Sequence, residues 1–353
     1  MNFPSEAIPG TEIQGNGSTY LYFGGTAYLG LQRDPEFLGL LSTGIRRLGS
    51  HWGASRVGNV KLSVYKTAER ALAFWMGSEA CLTLSSGFLA ARLVSEHFMR
   101  HKHPCFFSPN CHEALLPPGA VRQADWESLT QALRAHFRKR NPDLPVVFTD
   151  SMGGPGRPGP VWDLLEEVPK NCILVADDSH GIGISGPDGS GSWKPLEAMG
   201  FKELVLCGSL GKALGITAGM LAGSAHRLAE FEKTSFFAGA SPAPPAGLWT
   251  LSKALTTGIY RTKWEVLKSR VKYLQDRVGK LSCLTSQEGY PVVSFRNPAL
   301  VRHLLNKRIL ITDFQYPAEG ETASPSRIVV TAAHGESQLQ YLTHALLEFK
   351  DCQ

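Results

Sequence analysis

Three short strings carry residue types that could do chemistry together. In Val175-Ala176-Asp177-Asp178-Ser179-His180-Gly181 an apolar run ends in two carboxylates and a histidine. In an open α/β sheet that is the carboxyl edge of a strand, where such sheets place their ligands. An acid there can hold a protonated ring nitrogen, and a histidine three residues on can reach a neighbouring oxygen. In Leu206-Cys207-Gly208-Ser209-Leu210-Gly211-Lys212-Ala213-Leu214-Gly215 a second apolar run leads into serine, glycine and lysine. A lysine on such a turn is open to desolvation, which lowers its pKa and frees the amine as a Schiff-base nucleophile. In Leu84-Ser85-Ser86-Gly87-Phe88 a strand meets a Ser-Gly turn that opens a helix, and the N–H groups of a first helical turn suit a phosphate. Taken singly, the first and third strings read equally well as a strand-end cap and an ordinary Ser86 N-cap, and the second reads better as a surface lysine.

Other patterns point nowhere. Gly181-Ile182-Gly183-Ile184-Ser185-Gly186 fits G-x-G-x-x-G, but Pro187-Asp188-Gly189 follows where a dinucleotide fingerprint needs a helix. Leu206 stands where a Walker A loop needs its first glycine. His97 and His101 are four residues apart with His103 nearby, yet Phe98 follows His97 where a zinc-protease helix carries glutamate, and no cysteine partner is close. No metal site is expected. The basic run Arg134–Arg140 reads as an exposed helix end.

The elements that must position these residues follow from the pattern of apolar runs. Strands are expected at Ala80–Leu84, Pro104–Phe107, Pro145–Thr149, Ile173–Ala176, Leu204–Cys207 and Met220–Ala222, with helices at Tyr65–Met76, Gly87–Met99 and Glu127–Arg138 between them. Strands alternating with helices predict an α/β fold whose mainly parallel, mixed sheet is covered by helices. After Ser241–Pro245 a long helical pattern over Ala246–Lys280 leads to strands near Val292–Phe295 and Ile328–Thr331. The domain organisation expected is an N-terminal segment, 1–31, a large domain, 32–250, and a smaller α+β C-terminal domain, 251–353.

Composition bounds the rest. The chain has 353 residues, 43% hydrophobic and 19% charged, with 36 Lys and Arg against 31 Asp and Glu, a net charge of +5. That describes a globular protein with a full core and is too dilute a charge for a nucleic-acid binder. No run approaches the length of a membrane span, and MNFPSEAIPG lacks the features of a signal peptide, so a cytoplasmic protein is expected. Seven scattered cysteines without a C-x-x-C pair read as reduced thiols.

In this order, a phosphate-binding turn, Asp-x-x-His and Ser-x-x-Lys are what a pyridoxal 5′-phosphate site requires. The sequence resembles the fold-type I pyridoxal-phosphate enzymes (the aspartate-aminotransferase-like fold) and, within them, the α-oxoamine synthases, which include 8-amino-7-oxononanoate synthase and 2-amino-3-ketobutyrate CoA ligase. The resemblance runs from about Tyr28 to the C-terminus through Tyr28-Leu29-Gly30-Leu31, Gly53-Ala54-Ser55-Arg56, the three strings above, and Arg327-Ile328-Val329-Val330-Thr331-Ala332-Ala333-His334. It implies that Lys212 is the Schiff-base lysine and the acid/base at the substrate Cα. Asp177 would pair with the pyridine nitrogen, His180 with the ring hydroxyl, and His112 would stack on the ring. Ser86, Gly87, Phe88 and Ser209 would hold the phosphate, and Ser241 would reach the phosphate of a partner subunit in a homodimer whose site lies at the interface. Arg327 would bind the substrate carboxylate as a bidentate fork.

The function so implied is decarboxylative condensation of a small amino acid with an acyl-CoA thioester, as in biotin biosynthesis. The alternatives are another fold-type I reaction (transamination or aldol cleavage) and a non-catalytic partner subunit. The sequence departs from the family pattern at Ala27 and Ala91, where asparagines are expected, at Gly153, where aspartate is, and at Tyr65, where histidine is.

Overall fold

The computed structural model describes residues 4–15, 17–139, 143–154, 157–314 and 325–349. It separates into two compact units, one of Glu36–Met152 with Pro160–Ile259, the other of Met1–Pro35, Gly153–Gly159 and Tyr260–Gln353. In chain order, β1 (Glu12–Gly15) and β2 (Ser18–Phe23) belong to the second of these. β3 (Ala80–Leu84), β4 (Cys105–Phe107), β5 (Val146–Asp150), β6 (Ile173–Asp177), β7 (Glu203–Ser209) and β8 (Gly219–Gly223) build the first. β9 (Thr285–Ser286), β10 (Val292–Phe295), β11 (Ile309–Ile311) and β12 (Ser326–Val329) return to the second.

The first unit is a six-stranded sheet in the order β3-β8-β7-β6-β5-β4. β4 to β7 run parallel, and only β8 is reversed, pairing antiparallel with both β7 and β3. All six strands fall where the apolar runs predict them, because strands covered on both faces carry near-continuous hydrophobic sequence. β6 is buried at every position. The helix Gly87–Arg100 packs on β7 and β8 through Ala90, Ala91, Leu93, Val94 and Phe98, all 1% exposed or less. Burying a Leu or Phe side chain contributes roughly 1.5–3 kcal/mol, so this face anchors the helix firmly. Its N-terminus is set by Ser86, whose hydroxyl accepts from the Leu89 N–H at 3.2 Å.

A buried ion pair ties the sheet edge to the helix Ser63–Met76. Arg56 meets Glu69 at 2.5 Å, their side chains 7% and 3% exposed, and Glu69 also accepts from the Thr83 N–H and hydroxyl at 2.9 Å. The Arg56 guanidinium lies 4.5 Å from the centre of the Tyr65 ring.

The second unit holds two small sheets, β1-β2-β11 and β12-β10-β9. The single helix expected over Ala246–Lys280 is two, Pro245–Thr257 and Ile259–Val278, parted at Gly258, whose φ of 80° is the left-handed conformation that ends helices. The closing motif packs on the Tyr28 motif within this unit: the Ala332 N–H donates to the Tyr28 carbonyl at 2.9 Å. His334 is 1% exposed and stacks on Phe23 with ring centres 4.1 Å apart. Cys81, Cys105, Cys111, Cys172 and Cys207 are free thiols, whereas Cys283 is disulfide-bonded, which corrects the expectation of uniformly reduced cysteines. Cys352 lies outside the described residues. No helix among the described residues is long and apolar enough to cross a membrane.

Candidate active site

The parallel strands β5, β6 and β7 end side by side, and the polar residues at and just beyond their carboxyl ends form one cluster. Asp177 closes β6, 7% exposed, and its Oδ1 accepts from the Ser179 N–H at 2.8 Å. That short turn delivers His180 to Lys212, beyond β7, with Nζ and Nε2 2.7 Å apart. The Ser179 hydroxyl accepts from the Ser209 N–H at 2.8 Å, which ties the Asp-x-x-His turn to the Ser-x-x-Lys turn. His112 belongs to the same cluster. Burial lowers its pKa, while the nearby Asp177 raises it and Lys212 lowers it. Four of the residues picked out from sequence, Asp177, His180, Lys212 and His112, are thus brought together.

The anion end is built by the helix Gly87–Arg100. The Leu89 and Ala90 N–H groups are taken by Ser86, while the Gly87 and Phe88 N–H groups have no intrahelical acceptor by virtue of their position in the first turn. A Cβ on Gly87 would fall 2.7 Å from the Ser209 backbone nitrogen, and one on Gly219 would fall 2.0 Å from the Ser86 carbonyl. Only glycine lets β7, β8 and the helix terminus close together here, and the closure puts Ser209 directly beside the free end of the helix. Phe88 is 52% exposed.

Ser241 and Arg327 take no part in the hydrogen bonds of this cluster. Ser241 is exposed on the segment between the helices Ser235–Gly239 and Pro245–Thr257, away from the cluster's hydrogen bonds. Arg327 sits in β12 of the other unit, bridged through its backbone to Thr312, its guanidinium 5.9 Å from the centre of the Phe314 ring. Burial pushes the neighbouring Tyr28 hydroxyl up to about 12.

Asp150 is absent from the sequence-derived candidates, and Asp178, part of the quoted string, gains its role only from the fold. Asp150 ends β5 directly opposite Asp177 and accepts from the His112 N–H at 2.9 Å. Its signal was present, since Val146–Asp150 is a second apolar run ending in aspartate. Asp178 is fully buried, receives the Ser151 and Ser192 hydroxyls at 2.6 Å each and the Ser192 N–H at 2.9 Å, and is pushed up to about 6 by burial. The stretch 181–192 therefore wraps around Asp178, and no helix opens at Gly181–Gly186.

The departures from the family pattern have local reasons. Ala91 lies in the hydrophobic core, where an asparagine amide would need polar partners. A Cβ on Gly153 would fall 1.9 Å from the Arg157 carbonyl, so no aspartate fits that turn. Tyr65 is buried and donates its hydroxyl to the Ala243 carbonyl at 2.9 Å.

A lysine held against a histidine, a buried acid at a strand end and a helix terminus closed against a serine are the parts of a fold-type I pyridoxal-phosphate site, and the residues fit that cofactor. The chain belongs to the aminotransferase class I and II family, whose model matches residues 122–346. It is 28% identical to 8-amino-7-oxononanoate synthase of Nitrosococcus oceani, over 97% of this chain and 95% of that protein. It is 26% identical to the 8-amino-7-oxononanoate synthase of Vibrio cholerae, over 93% and 87%. Among solved structures, the serine palmitoyltransferase of Sphingomonas wittichii superposes with a TM-score of 0.80 at 17% identity, covering 97% of this chain and 90% of that one. The 8-amino-7-oxononanoate synthase of Francisella tularensis superposes at 0.70 and 16% identity, covering 94% and 98%. The expected fold class, mixed α/β of fold type I, is borne out.

Proposed function

We propose that this chain is a pyridoxal-phosphate-dependent acyltransferase that joins a small amino acid to an acyl-CoA thioester with loss of carbon dioxide. The observation that carries the reading is the Lys212–His180 contact of 2.7 Å beside the buried Asp177, set in a chain that matches 8-amino-7-oxononanoate synthases over nearly its whole length. When bound, the cofactor supplies an electron sink conjugated with the Cα of the amino acid.

The chain's own residues do the rest. The Gly87 and Phe88 N–H groups and the Ser209 hydroxyl would hold the phosphate. Asp177 would keep a proton on the ring nitrogen, His180 would serve the ring hydroxyl, and His112 would serve the ring face. Lys212 anchors the cofactor and moves the proton at Cα. Arg327 grips the substrate carboxylate, and Ser241 serves the phosphate of a second copy in a homodimer.

Atom counting narrows the substrates if the chain makes what its matched relatives are named for. In an 8-amino-7-oxononanoate, carbons 1 to 7 derive from a seven-carbon dicarboxylic acyl group, and carbons 8 and 9 are those of alanine after its carboxylate leaves. Amino acid, thioester and one proton give amino ketone, carbon dioxide and free thiol. The test is to mix the pyridoxal-phosphate-loaded protein with L-alanine, glycine or L-serine and a seven-carbon ω-carboxyacyl-CoA, following thiol release. Release that requires alanine supports the reading. A pyridoxamine form appearing without thiol release from any acyl-CoA would replace it with transamination.

A further inference from the structure

The strand-end geometry presents two aspartates where the cofactor reading, on which this inference rests, uses only one. β5 and β6 are parallel neighbours in register, with Asp150 opposite Asp177. Residues paired across adjacent strands project to the same face of a sheet, so the two carboxylates share one small polar space. Asp150 Oδ1 accepts from the backbone N–H of His112 at 2.9 Å. The same turn is tied down by Asn110, whose amide donates to the Met152 carbonyl at 3.3 Å and to the Asp150 carbonyl at 3.4 Å.

We propose that Asp150 is a positioning residue with two tasks: it fixes the turn that presents His112 to the cofactor ring, and it shares negative charge with Asp177 so that a cationic ring is matched when it arrives. The groups facing Asp150 are Asp177 on β6, Lys212 beyond β7, Arg122 and His112 from the segment after β4, and the thiols of Cys111 and Cys207. Burial and the neighbouring Asp177 carboxylate hold the Asp150 carboxyl well above the usual carboxylate range, against the weaker pull of the His112 N–H, Lys212 and Arg122. Two adjacent buried carboxylates resist ionising together. A cation entering between them relieves that repulsion, and the spare proton leaves.

Asp150→Asn separates the two tasks, because its amide oxygen still accepts from the His112 N–H while the side chain no longer titrates. Asp150→Ala removes both. The experiment is calorimetric titration of cofactor-free protein with pyridoxal phosphate near neutral pH, in buffers of differing ionisation enthalpy, with circular dichroism confirming that each variant is folded. The wild type is expected to release more protons on binding than Asp150→Asn, with affinities within about threefold of each other. Asp150→Ala is expected to bind at least about tenfold more weakly, the scale of a lost charge-assisted hydrogen bond, and the asparagine variant restores that loss. Equal proton release by wild type and Asp150→Asn would overturn the charge sharing, and wild-type affinity in Asp150→Ala would overturn the positioning. A wild-type chain that binds no pyridoxal phosphate would instead remove the cofactor reading itself.

Discussion

His180 and His334 both come from strings that carry the family resemblance, one in each unit, and the structure uses them in opposite ways. His180 sits on a polar turn at the end of a parallel sheet, 2.7 Å from a lysine amine. His334 is sealed between Phe23, the Tyr22 carbonyl, to which its Nε2 donates at 3.0 Å, and the Thr331 N–H, from which its Nδ1 accepts at 2.9 Å. Both ring nitrogens of His334 are committed to backbone, so its tautomer is fixed, and burial lowers its pKa to about 4. The first histidine can trade a hydrogen bond with a ligand; the second is a neutral clamp joining β2 to the turn after β12. Membership in a motif does not separate chemistry from architecture. The partners of the two nitrogens do.

The contrast can be broken or sharpened by mutation. The largest effect is expected at Lys212. Lys212→Ala should lower turnover by about 10⁴-fold or more and abolish the visible absorption of bound pyridoxal phosphate, with the thermal midpoint little changed. Wild-type thiol release by that variant would dissolve the active-site side of the comparison.

Glu69 shows that the catalytic unit also contains clamps. Glu69→Ala leaves the Arg56 guanidinium buried without its partner, and urea unfolding should register a loss of about 3–5 kcal/mol. Below the unfolding transition, cofactor absorption should be retained.

His180→Gln should cost about 10- to 100-fold in turnover, the range of one hydrogen bond to a charged group, with little change in stability. His334→Gln should do the reverse, and through pH. Because the folded value lies below the unfolded value near 6.5, the unfolded chain binds the proton first as pH falls. The stabilisation from neutral His334 is therefore fully present above about 6.5 and is lost progressively toward pH 4, by as much as about 3 kcal/mol. Asp178, raised to about 6, runs the other way: its contribution is present below the ordinary carboxylate range and is lost as pH rises through 6. Denaturant unfolding at pH 7 and pH 4.5 should show a smaller acid loss in His334→Gln than in the wild type. An equal acid loss would show that His334 is no neutral clamp.

Much of this is legible in the sequence. The six strands of the catalytic unit stand out as buried apolar runs, and Asp177, His180 and Lys212 stand out because they end two of them. The reversed direction of β8 was not legible, because an apolar run of five residues reads the same in both directions. Nor was the break at Gly258, since an isolated glycine inside a helical pattern can be tolerated as well as end the helix. The hairpin of β1 and β2 fell within what reads as an undivided N-terminal segment, because its strands are half-exposed and lack a strong apolar signature. Asp150 is hidden for a different reason: its apolar run reads as stopping at Thr149, and nothing local says that the neighbouring strand also ends in aspartate.

The amino-acid sequence by itself determined the strands, the residue types at their carboxyl ends and the family to which they belong, since these are written in local periodicity and in short contiguous strings. Tertiary structure alone decided which of those residues meet. It set Asp150 opposite Asp177, closed Ser209 against Gly87, and placed His334 out of reach of solvent. Pairing register and burial depend on chain segments far apart in sequence, and only folding brings those together.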